Sequence, residues 1–290
     1  MNSLKGIFPA LLTPFSIDGN INERSLRELL RMNLEKGADG FYVGGSTSEA
    51  FLMSMEERKR VMDIVCDEVS DRCAVIAHIG CIGTAQAIEM AKYAKSLGMD
   101  AMSSVPPFYY HFSFEQICQY YFDIVNAVDL PMVIYNFPDF SGVVLNSDNI
   151  DVFLRDPRFI GIKHTSSDFY SMERFRKARR DLLIYNGYDE MFMSGLAAGA
   201  DGAIGSTFNV MAEKFVKIMS LFKKGMHTEA MAEQERANNI IQALVRVGVF
   251  AGEKAILTHL GIDFGVPRKP FTPLSEKECN DLIRVYEENR

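Results

Sequence analysis

A lysine closes the apolar segment Phe159-Ile160-Gly161-Ile162-Lys163, and a charged amine at the end of a buried strand is costly unless a task keeps it there. Alternation puts Phe159, Gly161 and Lys163 on one face, with Gly161 leaving room below the lysine stem. If that face lines an interior, desolvation favours the neutral amine, a competent nucleophile toward a carbonyl. The bland alternative is a lysine whose stem follows apolar surface while its head stays in water. In Val133-Ile134-Tyr135-Asn136-Phe137-Pro138, Tyr135 stands at the corresponding height of another strand, and a phenol there can relay a proton.

Three loops carry the remaining candidates. Gly44-Gly45-Ser46-Thr47-Ser48-Glu49 offers the hydroxyls of Ser46 and Thr47 together with backbone N–H groups, a set that suits a carboxylate. A helix cap with a capping box explains the same residues taken alone. Gly187-Tyr188-Asp189-Glu190 and Gly205-Ser206-Thr207 follow two later strand candidates. Paired carboxylates repel phosphate but accept hydrogen bonds from several hydroxyls, so this end suits a neutral polyol; an N-cap or a metal is the alternative. No His, Asp or Glu set with ligand spacing accompanies Asp189 and Glu190, so no metal is expected. His78 and His164 read as structural, and Cys81 and the methionines as core packing.

Eight β-rich segments are placed to present these residues: Gly6–Leu12, Gly40–Val43, Ala74–Ile79, Ala101–Val105, Pro131–Tyr135, Phe159–Lys163, Leu182–Asn186 and Ala200–Ile204. Amphipathic stretches separate them, such as Leu26, Leu29, Leu30 and Leu34 before Gly37, or Ile88, Ala91, Ala94 and Leu97 before Gly98. Strand, loop and helix in alternation predict an α/β chain with a parallel sheet. A doubly wound sheet would be expected to carry a Gly-rich phosphate turn, and no G-x-G-x-x-G is present. The expected architecture is a (β/α)8 TIM barrel over residues 1–210, which carries the site, and a helical extension over 211–290 packed on it as one structural unit.

The net charge of −7 offers no general field for nucleic acid or anionic lipid. The basic run Arg176-Lys177-Ala178-Arg179-Arg180 reads as a solvated helix end. No apolar run reaches the roughly 20 residues of a membrane span, so neither nucleic acid nor membrane is an expected partner. Five cysteines without C-x-x-C spacing fit a reducing, cytoplasmic setting.

Gly44–Glu49, Tyr135-Asn136-Phe137-Pro138-Asp139-Phe140-Ser141-Gly142, Gly161-Ile162-Lys163-His164-Thr165-Ser166 and Gly187–Glu190, taken in order, resemble the dihydrodipicolinate synthase and N-acetylneuraminate lyase family of Schiff-base aldolases. The resemblance runs over nearly the whole chain, and its lyase branch is the better match. Phe140 stands where the synthase branch usually has an arginine for a second carboxylate, which favours a sugar acid. The resemblance implies that Lys163 forms an imine with a 2-oxo acid, that Tyr135 shuttles a proton at the C4 hydroxyl, and that Tyr109 assists near a subunit interface. It gives the substrate carboxylate to Ser46 and Thr47, and the hydroxylated tail to Thr165, Gly187, Asp189, Glu190 and Ser206, with Phe250 lining the sugar end. No cofactor is needed, since the protonated imine is itself the electron sink.

The implied reaction is reversible cleavage of N-acetylneuraminate (sialic acid) to N-acetylmannosamine and pyruvate, in a homotetramer. Another 2-oxo-3-deoxy sugar acid as substrate, dihydrodipicolinate synthesis, or sugar-acid binding without catalysis are the competing readings. The chain departs from the family pattern at Ser48, where glycine is common; if that position needs positive φ, serine is strained.

Overall fold

The computed structural model describes residues 3–290. Its eight strands are β1 (Gly6–Pro9), β2 (Gly40–Val43), β3 (Ala74–His78), β4 (Ala101–Ser104), β5 (Met132–Asn136), β6 (Phe159–His164), β7 (Leu183–Asn186) and β8 (Gly202–Gly205). All pair in parallel, in the order β1-β8-β7-β6-β5-β4-β3-β2. A parallel bridge between Ala10 and Tyr42, with the Leu11 N–H donating to the Tyr42 carbonyl at 2.9 Å, joins the two ends. This is the expected (β/α)8 barrel, and its strand order excludes the doubly wound sheet.

The helices are α1 (Glu23–Glu35), α2 (Met55–Val69), α3 (Thr84–Ser96), α4 (Phe114–Ala127), the single turns α5 (Pro138–Ser141) and α6 (Asp151–Leu154), then α7 (Phe169–Ala178), α8 (Phe192–Ala197), α9 (Phe208–Lys223), α10 (His227–Val247), α11 (Val249–His259) and α12 (Glu276–Asn289). Their starts are written locally. Ser54 and Glu57 form a reciprocal capping box on α2, as do Ser113 and Gln116 on α4 and Ser275 and Glu278 on α12. Gly37 (φ 90°) and Gly98 (φ 73°) take the left-handed step past the ends of α1 and α3.

Two apolar layers result. One fills the barrel, with Phe8, Tyr42, Ile76, Val133, Tyr135, Tyr185 and Ile204. The other lies between strands and helices and takes the opposite strand faces, among them Ile7, Phe41, Ile134, Ile162 and Ile184. Side-chain alternation along buried parallel strands sends each set to its own layer.

Strict alternation fails once, in β6. The register shifts between Met132, opposite Phe159, and Val133, opposite Gly161, so Ile160 is an extra residue in a bulge. Phe159 therefore packs in the outer layer and does not share a face with Lys163 as expected. Gly161 does face inward opposite Val133, and a Cβ there would meet the Leu183 carbonyl at 2.8 Å.

The basic run at the end of α7 is solvated at Lys177 and Arg180, which are exposed, but not at Arg176 and Arg179. Arg176 donates to the carbonyls of Arg180 (2.9 Å) and Leu182 (2.6 Å) and pairs with Asp201, while Arg179 donates to the Phe159 carbonyl at 2.7 Å. These arginines tie the N-terminal ends of β6, β7 and β8 together. Asp201 also accepts from the Ile184 N–H, which holds it in the turn and starts β8 at Gly202, two residues later than expected.

α9 packs on β1 and is interrupted by non-helical backbone at Met211 (φ −150°, ψ 41°). α10 reaches back to the barrel mouth, where the Gln234 amide donates to the Asp189 carbonyl at 3.1 Å and the Asn238 amide to that of Glu190 at 3.1 Å. Among the described residues no helix is long and apolar enough to cross a membrane.

Candidate active site

Lys163 stands one residue from the end of β6, aligned with Tyr135 on β5 and Tyr185 on β7. Its side chain enters the barrel and is 5% exposed. The ammonium nitrogen sits 4.1 Å from the centre of the Tyr135 ring and 4.7 Å from that of Tyr42. Burial draws its pKa from the ordinary lysine range down to about 7, and the Asp189 charge opposes that shift. At neutral pH this raises the fraction of free amine on the order of a thousandfold over an exposed lysine.

Tyr135 is also enclosed, edge-on to Tyr42 with ring centroids 6.2 Å apart and stacked on Phe137 at 5.7 Å. Desolvation pushes its phenol well above the usual range, and the neighbouring Thr165 hydroxyl moderates the shift. The phenol therefore rests protonated and can act by passing a proton on. Thr165 is buried just past β6, with its hydroxyl oxygen lacking a hydrogen-bond partner. Gly187 lies directly against it: a Cβ there would fall 1.9 Å from the Thr165 hydroxyl oxygen, so only glycine fits.

The loop after β2 is a 3-10 turn, Ser46–Ser48, in place of an α-helical cap. Its own bonds begin with the Ser48 N–H to the Gly45 carbonyl at 3.1 Å, which leaves the Ser46 and Thr47 amides out of the turn's bonding. Gly45 is required because a Cβ would strike the Tyr42 ring at 2.8 Å. The left-handed non-glycine residue of the loop is Glu49 (φ 59°, ψ 32°), so the condition for strain at Ser48, a positive φ, is not met. The Ser48 hydroxyl is buried and donates to the Gly45 carbonyl at 2.7 Å.

Glu49 is held in its unusual conformation from the far end of the chain. Its carboxylate meets the Lys254 ammonium of α11 at 2.6 Å, with both side chains at most 1% exposed, and accepts the Arg268 N–H at 2.6 Å. Burial draws the Lys254 amine down, and the Glu49 carboxylate opposes this. Arg268 extends the anchor to Glu57 at 2.8 Å and to the Leu52 carbonyl at 3.1 Å. The shape of the Ser46–Thr47 turn thus depends on the C-terminal helices.

At the opposite side of the rim, Asp189 is buried and accepts from both the N–H (2.9 Å) and the hydroxyl (2.7 Å) of Thr207 with one oxygen. Its other oxygen has no partner. Burial raises this carboxyl to about 6. Gly205 makes room for it, since a Cβ there would lie 2.0 Å from the carboxyl oxygen. Glu190 is exposed and Ser206 half-buried, and the Glu190 charge adds to the rise at Asp189.

The remaining two expected residues sit on the loop after β4 and on α11. Tyr109 (φ 78°) is 82% exposed on the loop after β4, with its ring 5.0 Å from and perpendicular to that of Tyr110. Phe250, half-buried on α11, packs edge-on against Phe271 at 5.4 Å. The histidines are accounted for by the frame. His78 donates from Nδ1 to the Gly44 carbonyl (3.0 Å), accepts the Val105 N–H at Nε2 (3.3 Å), and is driven by burial to about 3. His164 accepts from the Asn136 amide and donates to the Asp168 carbonyl, both at 3.0 Å.

Sequence reasoning missed Tyr42, Lys254 and Arg268. Only the two charges, placed in apolar surroundings, gave any local signal, and neither revealed its partner.

A family model described as the dihydrodipicolinate synthetase family matches residues 3–288. The N-acetylneuraminate lyase of Enterobacter sp. (strain 638) is 45% identical over 282 residues, covering 96% of this chain and 95% of its own. CdNal from Clostridium difficile, solved in complex with mannosamine, superposes with a TM-score of 0.97 at 38% identity, covering 99% of this chain and all of its own. The N-acetylneuraminate lyase of Fusobacterium nucleatum, solved with pyruvate, gives 0.94 at 39% identity, covering 99% and 97%.

Proposed function

This chain belongs to the dihydrodipicolinate synthetase family, and from that membership and the geometry of its barrel mouth we propose that it cleaves N-acetylneuraminate reversibly to N-acetylmannosamine and pyruvate. The observation that carries the reading is Lys163, enclosed between the Tyr42 and Tyr135 rings with its amine held near neutrality.

In this reading the Lys163 amine adds to the C2 keto carbon and water departs, leaving an iminium. Tyr135 gives its proton to the substrate carboxylate and takes the C4 hydroxyl proton in its place, so the proton later returned to C3 is held on the substrate. The C3–C4 electron pair moves into the iminium to give an enamine, and the aldehyde leaves. Protonation at C3 and attack by water then release pyruvate and restore the amine. Ser46 and Thr47 hold the substrate carboxylate on a turn whose amides are available. Thr165 and Asp189, each with an unpartnered oxygen, meet hydroxyls of the tail beside Gly187, Glu190 and Ser206. Phe250 closes the sugar end.

The division into a barrel (1–210) and an extension (211–290) is part of the same reading, with the extension bracing the site through Lys254 and Gln234. The working form is a cytoplasmic homotetramer in which a second copy covers the exposed Tyr109 and brings it to the proton relay. A coupled assay for pyruvate tests the reading: N-acetylneuraminate should release pyruvate with a higher kcat/KM than 2-oxo-3-deoxygluconate. The reverse preference would move the assignment to another sugar acid, and no release from either would leave a binding protein.

A further inference from the structure

α11 presents two different faces. Gly252 and Ile256 look toward neighbouring helices, where a Cβ on Gly252 would meet Leu244 at 2.6 Å and Leu282 at 3.2 Å. Phe250 and Glu253, three residues apart, share another face. Glu253 is fully buried, and neither of its carboxyl oxygens has a hydrogen-bond partner. Its polar neighbours are the Ser206 hydroxyl past β8 and Asp189 past β7. Lys254, the adjacent cation, is committed to Glu49 at 2.6 Å.

Burial, reinforced by the Asp189 charge, raises the Glu253 carboxyl well above the ordinary range, with Ser206 and Lys254 moderating it. A carboxyl that carries its proton has one O–H to give and a carbonyl oxygen to accept. The free oxygen of Asp189 is a pure acceptor when ionised. A sugar hydroxyl satisfies both at once, donating to Asp189 and accepting from Glu253. Buried polar groups are otherwise paired, so orphan oxygens on two carboxyls at one rim mark a place that a ligand completes.

We propose that Glu253 is a specificity-determining residue of this site, whose enclosed carboxyl, beside Asp189 and Ser206, binds a hydroxyl at the far end of the substrate's polyol tail. The inference rests on the aldolase reading above, and its test separates the two. The parent, E253Q and E253L are each incubated with pyruvate and borohydride, then assayed with N-acetylneuraminate and with 2-oxo-3-deoxygluconate, which lacks the full tail. All three should trap pyruvate on Lys163 equally; failure in the parent overturns the aldolase reading and Glu253's role with it.

With trapping intact, E253L should raise KM for N-acetylneuraminate about tenfold or more with kcat little changed, and leave the shorter substrate unaffected, the mark of lost uniform binding. E253Q, which keeps a donor and an acceptor, should stay within about threefold of the parent. An unchanged ratio of the two KM values in E253L, or an equal loss in both variants, overturns the proposal. Should E253L not fold, difference infrared spectroscopy decides. On adding N-acetylmannosamine to the parent, the carbonyl stretch of a protonated carboxyl must shift, and it must be missing from E253Q; an unmoved band overturns the proposal.

Discussion

Lys254→Met removes the cation from a pair with a 2.6 Å contact and almost no exposure on either side. Breaking a buried ion pair from one side leaves the remaining charge without its counter-ion, which costs about 3–5 kcal/mol. Glu49 would keep the Arg268 N–H at 2.6 Å, with the rest of that residue nearby, so the lower end, about 3 kcal/mol, applies. That is a large share of the 5–15 kcal/mol by which domains are typically stable. Adding Glu49→Gln should return about half of the loss, because an amide still accepts from Arg268 but no longer carries a buried charge. The assay is urea unfolding of the parent, K254M and K254M/E49Q, with pyruvate KM measured alongside. K254M should lower the midpoint and raise KM for pyruvate several-fold, since the Ser46–Thr47 turn loses the anchor of its left-handed residue. A loss under about 1 kcal/mol, or a double variant no better than the single, would refute the claim that this pair sets the loop.

Three further outcomes follow from the lysine pocket. Below about 7 Lys163 is an ammonium and cannot attack, so kcat/KM should fall close to tenfold per pH unit on the acid side. Because the Asp189 charge holds that amine up, D189N should move the acid limb to lower pH, and a limb that moves up instead contradicts the assigned direction. Tyr135→Phe should cost about a hundredfold or more in kcat while leaving pyruvate trapping intact, measured by steady-state cleavage and by borohydride labelling of the same sample. Loss of both together would mean that the hydroxyl is needed already for imine formation, and loss of neither that the ring alone does the work.

The barrel and the lysine were legible because both rest on local periodicity: short apolar strands, amphipathic helices and a charge at one strand end. The alignment of Tyr135 with Lys163 across β5 and β6 followed from their places at the strand ends. The bulge at Ile160 was not legible, since an extra residue in one strand leaves the apolar pattern unchanged and shows only in the partner's register. The left-handed step in the 44–49 loop was not legible for a different reason. It falls on Glu49, made tolerable by partners on α11 and at Arg268, the latter 219 residues away. Likewise Glu253 sits in a helical stretch whose spacing says packing, and only the tertiary approach of Asp189 and Ser206 gives its carboxyl a context. Arg176 and Arg179 read as solvated until the carbonyls at the bottom of the barrel were seen beside them.

Everything proposed for the reaction depends on one covalent bond. The protein is incubated with pyruvate, reduced with borohydride and digested, and the modified peptide is identified by mass spectrometry. A reduced pyruvyl group on Lys163, absent from K163M treated in the same way, is the predicted result. An unlabelled parent, or a label carried by a different lysine, would contradict the account.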